Sequence, residues 1–314
     1  MKFPSRSKAV LFSLFGLLLL AGFLSLKWMF AFAQSGQTQG SPLFPPEMNA
    51  TRDAKVEFVI GDLGGVPVRI PHYFANYVEY DGDPGFGEKR QGPVPTRTYQ
   101  SKLASFGFKV RFPDMAGRSS PEMWKDYEKY SDYNWKDYYD PIKSITPWIG
   151  VGFRSGSTYP GDGFLDRYVS ATLAFNAERE GLSATSKVYE YQQLPKPEHG
   201  LTVYAPPGIN PKTNKPYRQD DYAQDLFIHR DKNSKVDTYI KCSNRNLNNF
   251  KFSPCTQHIS MEPRMRAEIY ISYTRHHLPH WQQIQRNVSE LVWSFKVDAA
   301  ALPTTPGSVP HSQN

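Results

Sequence analysis

The sequence predicts an α+β fold: a mainly antiparallel sheet with a C-terminal amphipathic helix, preceded by one N-terminal transmembrane helix. Three observations carry this. Short stretches alternate apolar and polar residues, which is the period of a half-buried strand. One stripe near the C-terminus has helical spacing. One uncharged apolar run lies near the N-terminus. The 26 Pro and 22 Gly favour turns and short strands over a helical bundle, and aromatics at 14% supply a core that a disordered chain would lack.

Residues 9–26 are the apolar run, 18 residues without a charge. As a helix it is about 27 Å long, close to the hydrocarbon thickness of a bilayer. Lys2, Arg6 and Lys8 precede it and place the N-terminus in the cytoplasm. The expectation for residues 1–33 is a signal anchor in the bacterial inner membrane, single-pass, with the domain in the periplasm. Cleavage after Ala33 is the alternative, because Ala31-Phe32-Ala33 has the small-x-small form of a signal-peptidase site. The anchor is preferred: the run is long for a cleaved signal, and Lys27 lies between it and the site. Residues 34–55 are polar and rich in Pro, Gly and Ser, and read as a linker.

The periplasmic domain is expected over 56–297. Residues 56–60 and 66–70 read as a hairpin turning through 61–65. Around 107–113, Phe106, Phe108, Val110 and Phe112 alternate with Lys109 and Arg111, a strand with one buried face. Residues 148–153 (WIGVGF) form another strand, whose glycines imply close backbone approach. The stretch 167–176 fits strand or helix and leans to strand. Residues 200–205, 225–230 and 236–241 add short strands, and 206–222 is a polar loop. A strand over 267–273 leads into a helix from Leu278-Pro279 to about Phe295. There Trp281, Ile284, Val288, Leu291 and Val292 share a stripe, while Gln282, Gln285, Arg286 and Ser289 face out. Residues 298–314 read as a disordered tail. A division into two lobes near 150–200 stays open.

Cys242 and Cys255 are the only cysteines. Outside the cytoplasm the first expectation is a disulfide. The rival is a metal site using Cys242, Cys255 and His258, which lacks the second close pair of a structural zinc centre.

The formal charge of +7 does not point to nucleic acid. Lys2, Arg6, Lys8 and Lys27 account for four positive charges in residues 1–34, which leaves +3 for the rest. No nucleophile elbow, phosphate loop, dinucleotide fingerprint or metalloprotease helix occurs, so no catalytic residue, metal or cofactor is assigned. The cluster His276, His277 and His280 reads as structural or surface histidines. Asp81 to Asp83 and Gly161-Asp162-Gly163 read as turns. A hydrolase using paired carboxylates, which leave no local signature, is the alternative to a binding role; a third is an envelope assembly or structural factor.

Residues 116–148 hold Trp124, Tyr127, Tyr130, Tyr133, Trp135, Tyr138 and Tyr139 among Lys, Asp and Glu. Trp124, Tyr127 and Tyr130 are three apart, compatible with one face of a helix after Pro121. Trp and Tyr dominate binding hot spots, so Trp124, Tyr127, Tyr130, Tyr133, Trp135 and Tyr138 are the candidate partner-binding residues. The competing reading makes these rings part of the domain's own core.

From Cys242 to Phe295, the stretches SPCTQHISME, AEIYISYTRHHLP and HWQQIQRNVSELVWSF resemble bacterial envelope immunity proteins for type VI secretion phospholipase effectors. The resemblance spans about 55 residues and offers no catalytic residues to carry over. It implies a membrane-anchored periplasmic protein that binds and neutralises a toxin.

Overall fold

In the computed structural model, the described residues are 57–298 except 86, 121, 132–144, 175–189, 221–222 and 245–252. The predicted membrane segment 1–33, the linker 34–55, residue 56 of the domain and 299–314 of the tail lie outside them. No helix among the described residues is long and apolar enough to cross a membrane.

The predicted antiparallel sheet with a C-terminal helix is present. A hairpin opens the domain: β1 (Phe58–Leu63) and β2 (Val66–Pro71). Gly61, Asp62 and Leu63, expected in the turn, belong to β1. The turn is Gly64-Gly65 alone, with φ of +60° and +93°, so the strand twist is matched by a two-residue loop. Gly64 is required there: a Cβ would lie 2.5 Å from the Arg266 carbonyl oxygen. The Arg266 N–H donates to Gly64 O at 2.9 Å, which seats the turn.

The main sheet has ten strands, all antiparallel. They are β3 (Asn76–Tyr80), β4 (Leu103–Arg111), β5 (Ala116–Gly117), β6 (Trp148–Arg154), β7 (Gln192–Gln193), β8 (Thr202–Ala205), β11 (Gln224–Arg230), β12 (Val236–Ser243), β13 (Pro254–Ser260) and β14 (Glu268–Thr274). Their order is β3-β4-β6-β14-β13-β12-β11-β8-β7, with β5 beside β4. The β6–β14 pairing joins strands from the two halves of the chain into one sheet. The loop expected over 206–222 carries a small ladder of its own, β9 (Ile209–Asn210) with β10 (Lys215–Pro216).

Alternation gives the sheet an inner and an outer face. The inner face is apolar. Phe106, Phe108, Ile149, Val151, Phe153, Ile269 and Ile271 pack with Val68 and Ile70 of the hairpin and with the C-terminal helix α3 (Trp281–Trp293). Trp281, Ile284, Val288 and Val292 are the buried stripe of α3, as their spacing predicts. Residues 275–280 form a 3-10 turn ahead of α3, because Pro279 has no N–H for the α-helical ladder. Gln285 does not face out. Its Oε1 accepts from Thr238 Oγ1 at 2.8 Å and Gln257 Nε2 at 2.9 Å, and Gln257 in turn accepts from Tyr273 OH. Buried polar groups are thus satisfied under the helix.

The outer face carries two helices, α1 (Trp124–Ser131) and α2 (Phe164–Leu173). The strand preferred over 167–176 is a correction: residues 167–173 belong to α2. Phe164, Leu165 and Val169 pack on Leu226, Ile228 and Tyr239. Reading from Arg167 cut the helical stripe short and left the strand-favouring Tyr168, Val169 and Thr172 in view. Arg167 fastens the preceding turn by donating to Pro160 O and Asp162 O, each at 2.5 Å.

Cys242 and Cys255 form a disulfide, as expected, joining directly opposed residues of β12 and β13. Both thiols are consumed, which overturns the rival metal site with His258. Across β11, Asp225 opposes Cys242. Asp225 is fully buried and accepts from Arg218 at 2.6 and 2.9 Å, Arg275 at 2.6 Å and Asn244 at 2.8 Å. Burial raises its pKa, but the two guanidiniums and the amide outweigh that and hold it below the usual range. This cluster anchors the base of the disulfide-closed loop.

Candidate functional site

The site is built on the outer face, where β4, β6 and β14 run side by side. Their outward residues fall in cross-strand rows. One row is Lys109–Gly150–Ser272, and the next is Gly107–Gly152–Tyr270. Gly150 and Gly152 remove the side chains from the middle of both rows. At Gly152 the ring of Tyr270 fills the space: a Cβ would lie 2.2 Å from its Cζ. At Gly150 nothing among the described residues does so, and the nearest atom to a Cβ would be Ser272 Cβ at 3.7 Å. The result is a notch with a backbone floor, with Lys109 and Ser272 on either side.

At one end stands α1. Arg111 donates to Asp126 Oδ2 at 3.2 Å and to Asp114, fastening α1 to β4. The Tyr127 ring meets Trp148 edge-on at 5.4 Å, and Trp124 lies 5.9 Å from Tyr127. Lys109 Nζ donates to Tyr127 OH at 3.0 Å, and Arg118 lies 4.9 Å from the ring. Burial raises the Tyr127 pKa, yet Lys109 and Arg118 together bring it below the ordinary tyrosine value. Lys109 and Arg118 thus both lie against Tyr127 at this end of the notch. Among the described residues, Trp148 Nε1 and Thr274 Oγ1 are buried without a hydrogen bond.

At the other end stands α2, over a buried carboxylate. Glu268 is fully inaccessible. Its carboxylate accepts from His258 Nδ1 at 2.8 Å and Tyr168 OH at 3.3 Å, and pairs with Arg154 Nε at 2.8 Å. The Arg154 contact is an ion pair out of line for a hydrogen bond, which leaves Nε without one. Arg154 also donates to Tyr168 OH at 3.1 Å. Burial and the Glu268 charge raise the Tyr168 pKa. Glu268 is thus neutralised within the chain and ties α2 to the sheet.

Nearby, Tyr159 OH donates to Glu262 Oε1 at 2.6 Å. Asp162 is exposed, and its pKa is lowered, first by Glu262 and then by Arg266, whose guanidinium donates to Asp162 Oδ1 at 3.3 Å.

Of the residues singled out in the sequence, Trp124, Tyr127 and Tyr130 lie on α1, each half-buried. Tyr127 packs on the sheet, as the core reading has it. Tyr133, Trp135 and Tyr138 lie outside the described residues, as does Tyr139. His277 is buried, donates from Nε2 to Thr146 O at 2.8 Å, and has its pKa lowered chiefly by burial. Sequence reading did not single out Lys109, Trp148, Thr274 or Glu268 as a site, and it named His258 only as a rival metal ligand beside the cysteines. The one signal was the pair of glycines in WIGVGF.

No protein-family model and no curated protein matches the chain. A solved structure of an immunity protein of the Stenotrophomonas maltophilia type IV secretion system is similar over 79% of this chain and 100% of that one, with a TM-score of 0.43 and 15% sequence identity. That neighbour's system is type IV, whereas the resemblance in the sequence is to type VI immunity proteins.

Proposed function

We propose that this chain is a membrane-anchored periplasmic binding protein that neutralises a secreted toxin, a phospholipase effector by the resemblance of residues 242–295. The outer face of β4, β6 and β14 seats on the toxin and covers its active-site mouth, with α1 at the rim. The observation that carries this is the glycine-floored notch beside half-buried aromatics on α1. A backbone floor lets a partner approach closely, and Trp and Tyr offer large contact area at low entropic cost. Residues 9–26 hold the protein on the side of the membrane where such a toxin acts.

The test is capture of the full chain from detergent extract, with and without the products of the neighbouring genes, followed by phospholipase assay of the captured protein. The reading requires a stoichiometric partner whose lipase activity falls on binding. A partner whose activity is unchanged in the complex would refute it. Trp124→Ala should weaken binding by about tenfold or more while the domain stays folded.

A further inference from the structure

We propose that the layer formed by α3 and the β1–β2 hairpin docks on an anionic lipid surface, through Trp293, Phe58, Arg69, Arg264, Arg286 and Lys296. This rests on the membrane anchoring proposed above and assigns the face that the domain turns to the bilayer.

The α3 layer covers the inner face of the sheet, so its own outer surface lies opposite the glycine-floored notch. Arg286 and Trp293 are seven apart on α3, two turns along the stripe turned away from the buried Ile284, Val288 and Val292. The Trp293 ring is flanked by two cations: the Arg264 guanidinium lies 3.8 Å from its centroid and the Lys296 ammonium 5.5 Å. Lys296 opposes Val68 of β2, and the next residue, Arg69, donates its N–H to Phe295 O at 2.8 Å. Arg69 places its guanidinium 3.7 Å over the ring of Phe58, which is 39% exposed. Backbone pairing thus joins the two ring–cation groups into one surface.

These cations differ from those that hold the fold together. Arg154, Arg218 and Arg275 pair with buried carboxylates. Among the described residues, none of the exposed Arg69, Arg264 and Arg286 pairs with a carboxylate. Glu57, Glu290 and Asp298 are close in sequence, and only Asp298 approaches a cation, Lys296 at 3.9 Å. A guanidinium stacked on a ring still presents its N–H edge in the plane, and a phosphate group accepts two parallel bonds from such an edge. Trp has an apolar body and a polar edge, which suits the headgroup level of a bilayer. The chain also enters the domain here: residue 57, the first described, directly precedes Phe58, so the linker leads into this layer. Docked in this way, the domain turns its notch away from the bilayer and toward an arriving partner.

The Trp293 indole provides the readout. The full chain carrying Trp28→Phe, which removes the tryptophan beside the apolar run, is reconstituted into vesicles of phosphatidylcholine with and without phosphatidylglycerol. Each vesicle is doped with lipid brominated near the headgroup. The proposal expects bromolipid quenching that rises with phosphatidylglycerol, falls with added salt and is lost in Trp293→Phe. Arg264→Gln, Arg286→Gln and Lys296→Gln should each lower the ratio of docked to undocked domain about fivefold. These three positions are exposed, so they keep the test decisive should the Trp293 variant not fold. Quenching unchanged in the variants, or equal with and without phosphatidylglycerol, would overturn the proposal. Trp293 shielded from a soluble quencher by the captured toxin instead of by vesicles would give the face to the protein partner and overturn it too.

An alkaline wash separates this proposal from the reading it rests on. A chain that stays with the vesicles while Trp293 is unquenched keeps the anchor and loses the docking face. A chain that washes off, after Trp293 was quenched by phosphatidylglycerol vesicles, does the reverse.

Discussion

Along β6 the inward residues Ile149, Val151 and Phe153 meet α3 and the β1–β2 hairpin, while the outward residues are Trp148, Gly150, Gly152 and Arg154. The inner face is closed by close-packed apolar side chains. The outer face is held by ion pairs, aromatic edges and glycines, and it stays open at Gly150. The difference teaches where stability and recognition reside: one face excludes water over a large area, and the other leaves polar groups and backbone available. Four perturbations should break or sharpen that contrast.

The largest effect belongs to the inner face. Phe153 is fully buried and stacks on Phe106 at 4.2 Å. Phe153→Ala should cost about 3–5 kcal/mol, read by urea unfolding. A cost near zero would mean that the inner face is not the stabilising one.

Asp225 comes next. Asp225→Ala leaves Arg275, with 5% of its side chain exposed, buried without its carboxylate. The expected loss is about 3–5 kcal/mol. The same residue gives a pH signature. Its folded pKa lies below the unfolded value, so its contribution is present above the ordinary aspartate range near pH ~4. That contribution is lost as pH falls through the depressed folded value. Acid unfolding curves of the wild type and Asp225→Asn should converge as this window is crossed; parallel curves would exclude Asp225 as the cause.

Reducing the Cys242–Cys255 bridge, whose cysteines are 13 residues apart, should lower stability by about 3 kcal/mol. Urea midpoints with and without reductant measure it, and coincident midpoints would show that the opposed strands need no tether.

The smallest effects lie on the outer face and differ between two neighbouring glycines. Gly152→Ala should cost about 1–3 kcal/mol, because its methyl group displaces the Tyr270 ring. Gly150→Ala should stay within about 0.5 kcal/mol, because its methyl meets only ordinary contacts. Equal costs would mean that the notch is not open.

Most strands and α3 were legible before the structure because each is amphipathic over its own length. Phe106, Phe108 and Val110 announce a one-sided strand without reference to any partner. The helix α2 was not legible from residue 167 onward, since its apolar stripe begins at Phe164 and its centre has strand propensity. The site was less legible still. Lys109, Trp148 and Thr274 lie on three strands far apart in the chain, and only the order β4-β6-β14 makes them neighbours.

The sequence by itself determined the strand-rich composition, the faces of the long elements and the pairing of the only two cysteines, because period and covalent chemistry are local. The tertiary structure decided which strands lie side by side, that Gln285 turns inward, that Glu268 pairs with Arg154 and bonds His258, and that among the described residues Gly150 is left open while Gly152 is covered. Each of these depends on the cross-strand register between distant segments, which no local pattern encodes.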